Sequence, residues 1–189
     1  MREEFYEQVF EKLDFSKQVI KGNEYESCTF KNCDFSNSNL ANNDFIDCTF
    51  ESCNLSSANL NNTSLKTVQF IDCKIIGVDF SICKPFLFAV YFKNCSLNYT
   101  YFFKKKLQKT KFENCQIQEA NFSEADLTGA SFHDCNLLNT VFDKTNLTQV
   151  DFRRAEHFAI NPEKNTIKKA KFSYDGLRGL LYQYEIVIE

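Results

Sequence analysis

Large apolar residues recur at every fifth position over most of this 189-residue chain. They run from Ile20 to Phe80 and, after a shift of two residues, from Phe92 to Phe152. The residue two positions before each of them is small, as at Cys33, and the residue immediately before is usually Asp or Asn. A period of five differs from the roughly 3.6 of a helix and the 2 or so of an ordinary strand, so both classes are disfavoured.

A longer period of twenty residues is superimposed on the short one. One column of this period contains Phe10, Phe30, Phe50, Phe70, Phe92, Phe112, Phe132, Phe152 and Phe172. Since four five-residue units make twenty residues, each coil has four sides. The sequence therefore predicts an all-β fold, a right-handed quadrilateral β-helix whose coils stack roughly 4.8 Å apart.

The β-helix is predicted to form a single domain over residues 1–172. The two-residue shift places a small protruding loop at about 81–86, where Pro85 favours a bulge or an edge. Leu87 is expected to return to the core after the loop. Cys83 is the one cysteine that lies off the repeat.

Both ends of a β-helix need caps, because an open coil presents unpaired backbone and apolar side chains. The charged residues 1–9 are expected to cover the first coil. Residues 173–189 predict a capping helix with Ser173 as its N-cap, followed by a short strand over 185–188. A further hypothesis is that this segment joins two copies as a homodimer. The candidate dimer contacts are Leu177, Leu180, Leu181, Tyr184, Ile186 and Ile188.

The nine cysteines are predicted to be buried small side chains rather than disulfides or metal ligands. Six of them form one column, namely Cys33, Cys53, Cys73, Cys95, Cys115 and Cys135. No CxxC pair occurs, and the two histidines lack zinc-like spacing. His133 is expected to face solvent and His157 to take a core position in the last coil. We therefore expect no cofactor and no metal.

The units ANLNN at 58–62, ANFSE at 120–124 and ADLTG at 125–129 resemble the pentapeptide-repeat family, and the likeness covers about residues 10–172. Within that family the chain is similar to the quinolone-resistance and microcin-immunity group (Qnr, MfpA, McbG). The similarity lies in the single-domain size, the break near residues 77–80 and the C-terminal tail. This resemblance implies a dimeric rod that binds DNA gyrase or topoisomerase IV by mimicking duplex DNA.

Charge is segregated along the chain, whose net charge is −3. Residues 1–80 sum to −6, 81–120 to +5, 121–152 to −4 and 153–189 to +2. A duplex as long as the predicted rod, roughly 36 Å, carries about 21 charges. DNA mimicry would therefore rest on rod shape and local acidic patches, and the basic central segment would be repelled by a basic groove.

Around the break the sequence is aromatic as well as basic, and an exposed apolar patch marks an interaction site. The candidate partner-binding patch consists of Tyr91, Tyr99, Tyr101, Phe103, Lys104 and Lys106. The alternative is that the loop at 81–88 folds over these rings. Lys105 falls in a small inward position, which predicts a local bulge. With acidic segments on both sides of this belt, direct binding of nucleic acid is not expected.

The sequence contains no glycine-rich phosphate loop, nucleophile elbow or HExxH motif. A filled square core also leaves no ligand-sized pocket, so an enzyme is not expected. No apolar stretch is long enough for a transmembrane helix, and the acidic N-terminus does not resemble a signal peptide, so the cytoplasm is the expected location. The leading hypothesis is a binder of DNA gyrase or topoisomerase IV that protects from quinolones or peptide toxins. The alternative is a scaffold for an unrelated protein partner.

Overall fold

The structure, a computed structural model, describes residues 2–16 and 20–187. Its regular structure consists mainly of short parallel strands. These are β1 (Glu4–Tyr6), β2 (Val9–Glu11), β3 (Glu24–Glu26), β4 (Thr29–Lys31), β5 (Asp44–Ile46), β6 (Thr49–Glu51), β7 (Ser64–Lys66), β8 (Val68–Ile71), β9 (Val90–Lys93), β10 (Lys111–Glu113) and β11 (Ser131–His133). Two 3₁₀ helices follow, Asp175–Leu180 and Tyr182–Tyr184.

The chain winds into a right-handed β-helix with four faces, which confirms the predicted fold class. Face 1 is a seven-stranded parallel sheet in the order β2-β4-β6-β8-β9-β10-β11, and face 4 begins as the four-stranded sheet β1-β3-β5-β7. Single bridges between successive coils hold the other faces, as from Asp34 to Asn54 on face 2 and from Tyr101 to Asn121 on face 3. Face 4 continues through the bridge from Lys106 to Asp126.

Phenylalanine rings stack along the axis of the β-helix. In the column from Phe10 to Phe172 each ring lies 4.7–5.4 Å from the next, centroid to centroid, with planes within 16° of parallel. Rings of neighbouring columns meet edge to face, as Phe112 and Phe122 do at 5.9 Å. Offset stacking and edge-to-face contact are the arrangements that aromatic rings prefer. The twenty-residue period therefore sets both the shape and the packing of the core.

The polar residue before each core position shapes the turn that follows. Asp34 Oδ1 accepts a hydrogen bond from the Ser36 N–H at 2.8 Å, and Asp79 does the same for Ser81 at 2.8 Å. Two residues after a core position the backbone is left-handed, as at Asn32 with φ 51°. Asp and Asn favour such local bonds and Asn tolerates positive φ, so these residue types recur at the corners.

The predicted burial of the cysteines is confirmed, since all nine are buried and free. In the six-membered column, all thiols but that of Cys115 donate both to a carbonyl group of their own coil and to one of the preceding coil. Cys53, for example, donates to the Phe30 carbonyl at 3.3 Å. In the neighbouring column, burial raises the pKa of Cys48 to about 12. Since the thiolate is the reactive form, Cys48 is inert near neutral pH.

The inserted residues lie later than predicted. Cys83 is buried in the repeat and not off it, and the Lys84 N–H bonds the Thr63 carbonyl at 2.8 Å as in an ordinary coil. Leu87, expected in the core, is 62% exposed with φ 55°, and Phe88 packs against the core in its place. The extra length therefore bulges at residues 84–89, hereafter the insertion loop, and Leu87 turns outward because its left-handed backbone directs it away from the axis.

Two other expectations about the ends of the rod are wrong. Residues 1–9 do not cover the first coil, because β1 and β2 lie within it and pair with β3 and β4. His157 is exposed, and Phe158 is buried in the core position assigned to it. The larger apolar ring gains more from burial, and it packs 5.4 Å from Phe152 and 5.6 Å from Phe172.

The C-terminal segment forms 3₁₀ turns. Ser173 Oγ accepts from the Gly176 N–H at 3.0 Å, as an N-cap would, and the Gly179 carbonyl accepts from the Ile160 N–H at 2.9 Å. A Cβ at Gly179 would come within 2.4 Å of the Phe158 carbonyl oxygen, so only glycine lets the helix approach the last coil this closely. The predicted strand is not formed over residues 185–187, which have no strand beside them, and Ile188 lies outside the described residues.

The ring stack makes a quantitative prediction. Replacing Phe112, which is fully buried between two rings, by alanine should lower the free energy of unfolding by about 3–5 kcal/mol. The control is Lys111→Ala on the outer side of the same strand, which should change it by less than about 0.5 kcal/mol. Urea unfolding followed by circular dichroism measures both. Equal effects of the two variants would contradict the central role of the stack.

Candidate interaction surfaces

The six residues of the predicted aromatic and basic patch do not form one surface. They belong to a single coil, and they are distributed over all four of its faces. Tyr91 lies in β9 on face 1 and Tyr99 follows the face 2 bridge at Ser96. Lys106 lies in the face 4 bridge to Asp126. Three residues share face 3, namely Tyr101, Phe103 and Lys104.

Tyr91 and Tyr99 each donate to a carboxylate in the following coil. Tyr91 Oη bonds Glu113 at 2.7 Å, and Tyr99 Oη bonds Glu119 at 3.2 Å. Burial, together with the bond to Glu113, raises the pKa of Tyr91 to about 12. Both side chains therefore help to join neighbouring coils, in addition to any contact with a partner.

The face 3 residues form an exposed cluster that the insertion loop leaves open. Tyr101 and Phe103 are 49% and 39% exposed. The Lys104 ammonium lies 4.8 Å from the centroid of the Phe103 ring and 3.4 Å from the Glu124 carboxylate. The alternative in which the loop folds over these rings does not match this geometry. The aromatic side chains remain available on face 3.

The insertion loop lies on face 4 instead. The Lys84 N–H bonds the Thr63 carbonyl at 2.8 Å, and the Ala89 N–H bonds the Leu65 carbonyl at 3.0 Å. Ser64, which points outward between these two anchors, is only 1% exposed because the loop lies beside it. At the tip of the loop, Phe86 is 71% exposed. Phe86 lies within the protruding loop predicted at about 81–86, although it was not among the candidate binding residues.

Lys105 fixes the loop from below. It occupies a small inward position, as predicted, and its side chain is buried. Its ammonium donates to the Cys83 carbonyl at 2.6 Å and lies 4.6 Å from the centroid of the Phe88 ring. Burial lowers the pKa of this ammonium. Hydrogen bonds and the cation–π contact offset part of the cost of burying the charge.

A group of carboxylates that the sequence analysis did not single out gathers on the N-terminal half of face 4. In the sheet, Glu4 pairs with Glu24 and Glu24 with Asp44. Glu26 lies on the same strand as Glu24. The acidic face, as we call it, consists of Glu4, Glu7, Glu24, Glu26, Asp44 and Asp47. The signal was present as acidic residues twenty positions apart.

Two cations bind the acidic face from its edges. Arg2 pairs with Glu24 and, at 3.0 Å, with Asp44. Lys84 of the insertion loop pairs with Asp44 at 2.8 Å. The remaining carboxylates of the face, which make no ion pair within the described residues, are Glu4, Glu7, Glu26 and Asp47.

Some of the candidate dimer contacts pack against the rod, and others are exposed to solvent. Leu180 packs against the core, and Leu181 is half-buried. Leu177, Tyr184 and Ile186 are exposed. Apolar exposure at this end extends to Tyr174, Tyr182 and Val187, which were not predicted as contacts.

Within residues 2–16 and 20–187, no three His, Cys, Asp or Glu side chains lie together as metal ligands would. Within the same residues, no helix has the length and apolar character needed to cross a bilayer.

Parallel coils of five-residue units, closed around stacked rings, define a class of β-helical repeat proteins. A family model for the pentapeptide repeat region matches residues 23–102 and 105–180. The chain therefore belongs to the pentapeptide-repeat family. No curated protein matches its sequence.

Solved structures of QnrB1, described as a plasmid-mediated fluoroquinolone resistance protein, are similar to this chain. One trypsin-treated variant is 23% identical with a TM-score of 0.50, covering 98% of this chain and 99% of QnrB1. Another is 21% identical with a TM-score of 0.46, covering 98% and 100%. HetL from the cyanobacterium Nostoc is 12% identical with a TM-score of 0.29, covering 92% and 91%. The likeness to QnrB1 is one of fold.

The role of Lys105 can be tested by hydrogen exchange. In a Lys105→Ala variant the Cys83 carbonyl, which directly precedes the insertion loop, loses its bond to the ammonium, and Phe88 within the loop loses the cation–π contact. Alanine still fits the position because Ala125 occupies it in the next coil. Amide exchange over residues 84–89 should become about tenfold faster, since a hydrogen bond to a charged group contributes about 1.5–3 kcal/mol and relief of burial offsets part of it. Lys104→Ala, on the neighbouring exposed lysine, is the control and should leave exchange unchanged. Unchanged exchange in Lys105→Ala would show that the ammonium does not hold the loop.

Proposed function

We propose that this protein is a cytoplasmic, non-catalytic β-helix that binds DNA gyrase or topoisomerase IV in place of duplex DNA. Bound in this way, it protects the topoisomerase from quinolones or peptide toxins. The acidic face is the observation that carries the proposal. The description of the similar QnrB1 as a fluoroquinolone resistance protein agrees with it.

The charge density of the acidic face supports mimicry of DNA. Its three coils span roughly 10 Å at about 4.8 Å per step. Duplex DNA carries about six charges over that length, and the acidic face carries six carboxylates. Arg2 and Lys84 reduce the net charge of the acidic face, so its charge density agrees with that of duplex DNA only in order of magnitude. A local match of this kind does not require a large net charge on the whole chain.

The neighbouring insertion loop supplies an apolar anchor for the same partner. Phe86 and Leu87 project from face 4 two coils below Asp44, beyond the coil of Ser64, and Lys84 ties the loop to the acidic face. Exposed aromatic residues at the centre of an interface contribute much of its binding energy, while surrounding charges guide association. A basic DNA-binding groove next to an apolar pocket would fit this combination.

A supercoiling assay tests the proposal. Purified gyrase inhibited by a fluoroquinolone should regain activity when the full-length protein is added. A variant that neutralises the four unpaired carboxylates should require about tenfold more protein for half protection, because it loses the charges that guide association. Its substitutions are Glu4→Gln, Glu7→Gln, Glu26→Gln and Asp47→Asn.

A control variant removes the same number of charges from other faces. Its substitutions are Asp72→Asn, Glu119→Gln, Asp143→Asn and Glu156→Gln, and it should protect like the unmodified protein. If the unmodified protein changes neither gyrase nor topoisomerase IV activity and does not co-sediment with either enzyme, the proposal is wrong. The scaffold for an unrelated protein partner would then be the better explanation.

We further propose that the C-terminal segment joins two copies into a homodimer. Among the apolar residues of this segment, Leu177 and Ile186 leave much of their surface exposed. Exposed apolar patches of this kind mark interaction sites. Leu180 is excluded from the proposed contact because it packs against the core of its own chain.

Sedimentation equilibrium tests the dimer. We expect a mass of twice the 22.0 kDa of one chain. A Leu177→Glu, Ile186→Glu variant should sediment as a monomer, since burying two unpaired charges at the interface costs several kcal/mol. The control is Leu138→Glu, Val141→Glu, which places the same charges on two equally exposed apolar residues of the rod. A monomeric unmodified protein would contradict the proposal.

A further inference from the structure

A second charged surface lies on the edge where face 4 turns into face 1, below the insertion loop. Here lysines collect in two groups, one beside β10 and one in the last coil. We call this surface the basic strip. It consists of Lys106, Lys109, Lys111, Lys168, Lys169 and Lys171, all exposed.

Backbone hydrogen bonds place the two groups in line. The backbone N–H of Lys109 donates to the Thr128 carbonyl. In the same way the backbone N–H of Gly129 donates to the Thr148 carbonyl, and that of Gln149 to the Lys168 carbonyl. This succession puts Lys109 and Lys169 in one column three coils apart, about 14 Å at roughly 4.8 Å per coil. Parallel pairing carries Lys111 to Lys171 in the same way, through Ser131 and Asp151.

Three carboxylates lie among the six lysines of the strip, and each of them hydrogen-bonds a group other than a lysine. Glu113 accepts from Tyr91, and Asp151 binds the Arg153 guanidinium at 2.7 Å. The bond to Arg153 and, to a smaller extent, the charge of the nearby Lys171 lower the pKa of Asp151. Asp126 accepts from Gln108 at 2.6 Å. Within the described residues, none of the six lysines makes an ion pair.

A groove opens at the upper end of the strip. It has a volume of about 400 Å³, and its walls include Thr67, Gln69, Tyr91, Lys109 and Lys111. Ala89 at the end of the insertion loop and Val90 at the start of β9 also line the groove, as does the Glu113 carboxylate that accepts from Tyr91. It therefore offers two ammonium groups and a tyrosine ring beside a recess large enough for a side chain.

We propose that the basic strip binds a short, extended, acidic segment of a protein partner. An extended chain advances roughly 3.3 Å per residue, so about four or five residues join the two lysine groups and a segment of about eight covers both. Lysine binds carboxylates as a flexible point charge, which suits a segment without fixed structure. The upper end of such a segment would place one side chain in the groove.

The sign of the charge above the groove favours a short peptide over nucleic acid. Toward the N-terminal end of the rod, the column of Thr67 contains Asp47, Ser27 and Glu7. The backbone N–H of each of these three residues bonds a carbonyl group of the next coil in the same register. Above the loop the same edge is thus acidic. A nucleic acid following the rod axis would meet like charge after three coils, whereas a peptide of about eight residues ends before it.

Fluorescence anisotropy with a labelled oligoglutamate of about eight residues tests the proposal on the full-length protein. Binding is expected, and it should weaken as the salt concentration rises from about 50 to about 200 mM, because exposed charges are screened. A Lys109→Gln, Lys111→Gln, Lys169→Gln variant should bind the probe at least about tenfold more weakly. Circular dichroism confirms that the variants are folded.

The matched control removes three lysines from other faces through Lys74→Gln, Lys144→Gln and Lys164→Gln, and it should bind like the unmodified protein. The proposal is overturned if oligoglutamate does not bind, or if both triple variants lose affinity equally. Tighter binding of a single-stranded or duplex DNA oligonucleotide than of oligoglutamate would also overturn it, and would assign the strip to nucleic acid. None of these outcomes depends on gyrase, because the acidic face is unchanged in every variant.

Discussion

Stacking of each coil on the next, in strict register, is the constraint on which the whole molecule depends. Phenylalanine rings repeat every twenty residues and lie 4.7–5.4 Å apart, close to the spacing that parallel backbone hydrogen bonds impose. Rings and backbone therefore favour the same rise per coil. A coil alone could not bury its rings, so the stability of the rod is shared between neighbours. The small side chains at the other inward position, chiefly cysteine, alanine and threonine, let four large residues meet at each level without overpacking.

The same register determines the chemistry of the surface. A residue type that recurs twenty positions apart becomes a column on one face, whether it points inward or outward. Acidic residues in successive coils build the acidic face, and lysines three coils apart build the basic strip. The rod therefore presents opposite charges at two levels of one edge, with the insertion loop between them. A net charge of −3 conceals this separation. Both proposals of binding rest on it, and they concern different partners or different parts of one partner.

The insertion loop shows how a local departure from the period creates features that the regular coils lack. Two additional residues expose Phe86 and Leu87 in a loop whose last residue lines the groove beside Tyr91, while Lys84, in regular register at the start of the loop, pairs with Asp44. The buried Lys105 accompanies this insertion. It occupies an inward position that holds a small residue in other coils, and from there its long side chain reaches the Cys83 carbonyl. Replacing a small residue by lysine elsewhere in the column would leave a charge buried without acceptors. Loop and lysine are therefore best understood as one unit.

The sequence by itself determined the fold class, the number of faces, the inward columns and the burial of the cysteines, because a period of five within a period of twenty admits one regular way to bury its apolar residues. It did not determine where the period is interrupted. Leu87 and His157 sit at positions that simple counting assigns to the core, yet Phe88 and Phe158 pack there instead, because burial of the larger apolar side chain contributes more to stability than burial of the residue that counting selects. Nor did it determine the surfaces. Residues 91–106 are close in sequence but circle the rod, whereas Glu4 and Asp44 are distant in sequence and lie on one sheet. The path of the chain around the rod determines which outward side chains are neighbours. Only the tertiary structure shows at which residue the repeat resumes after the insertion.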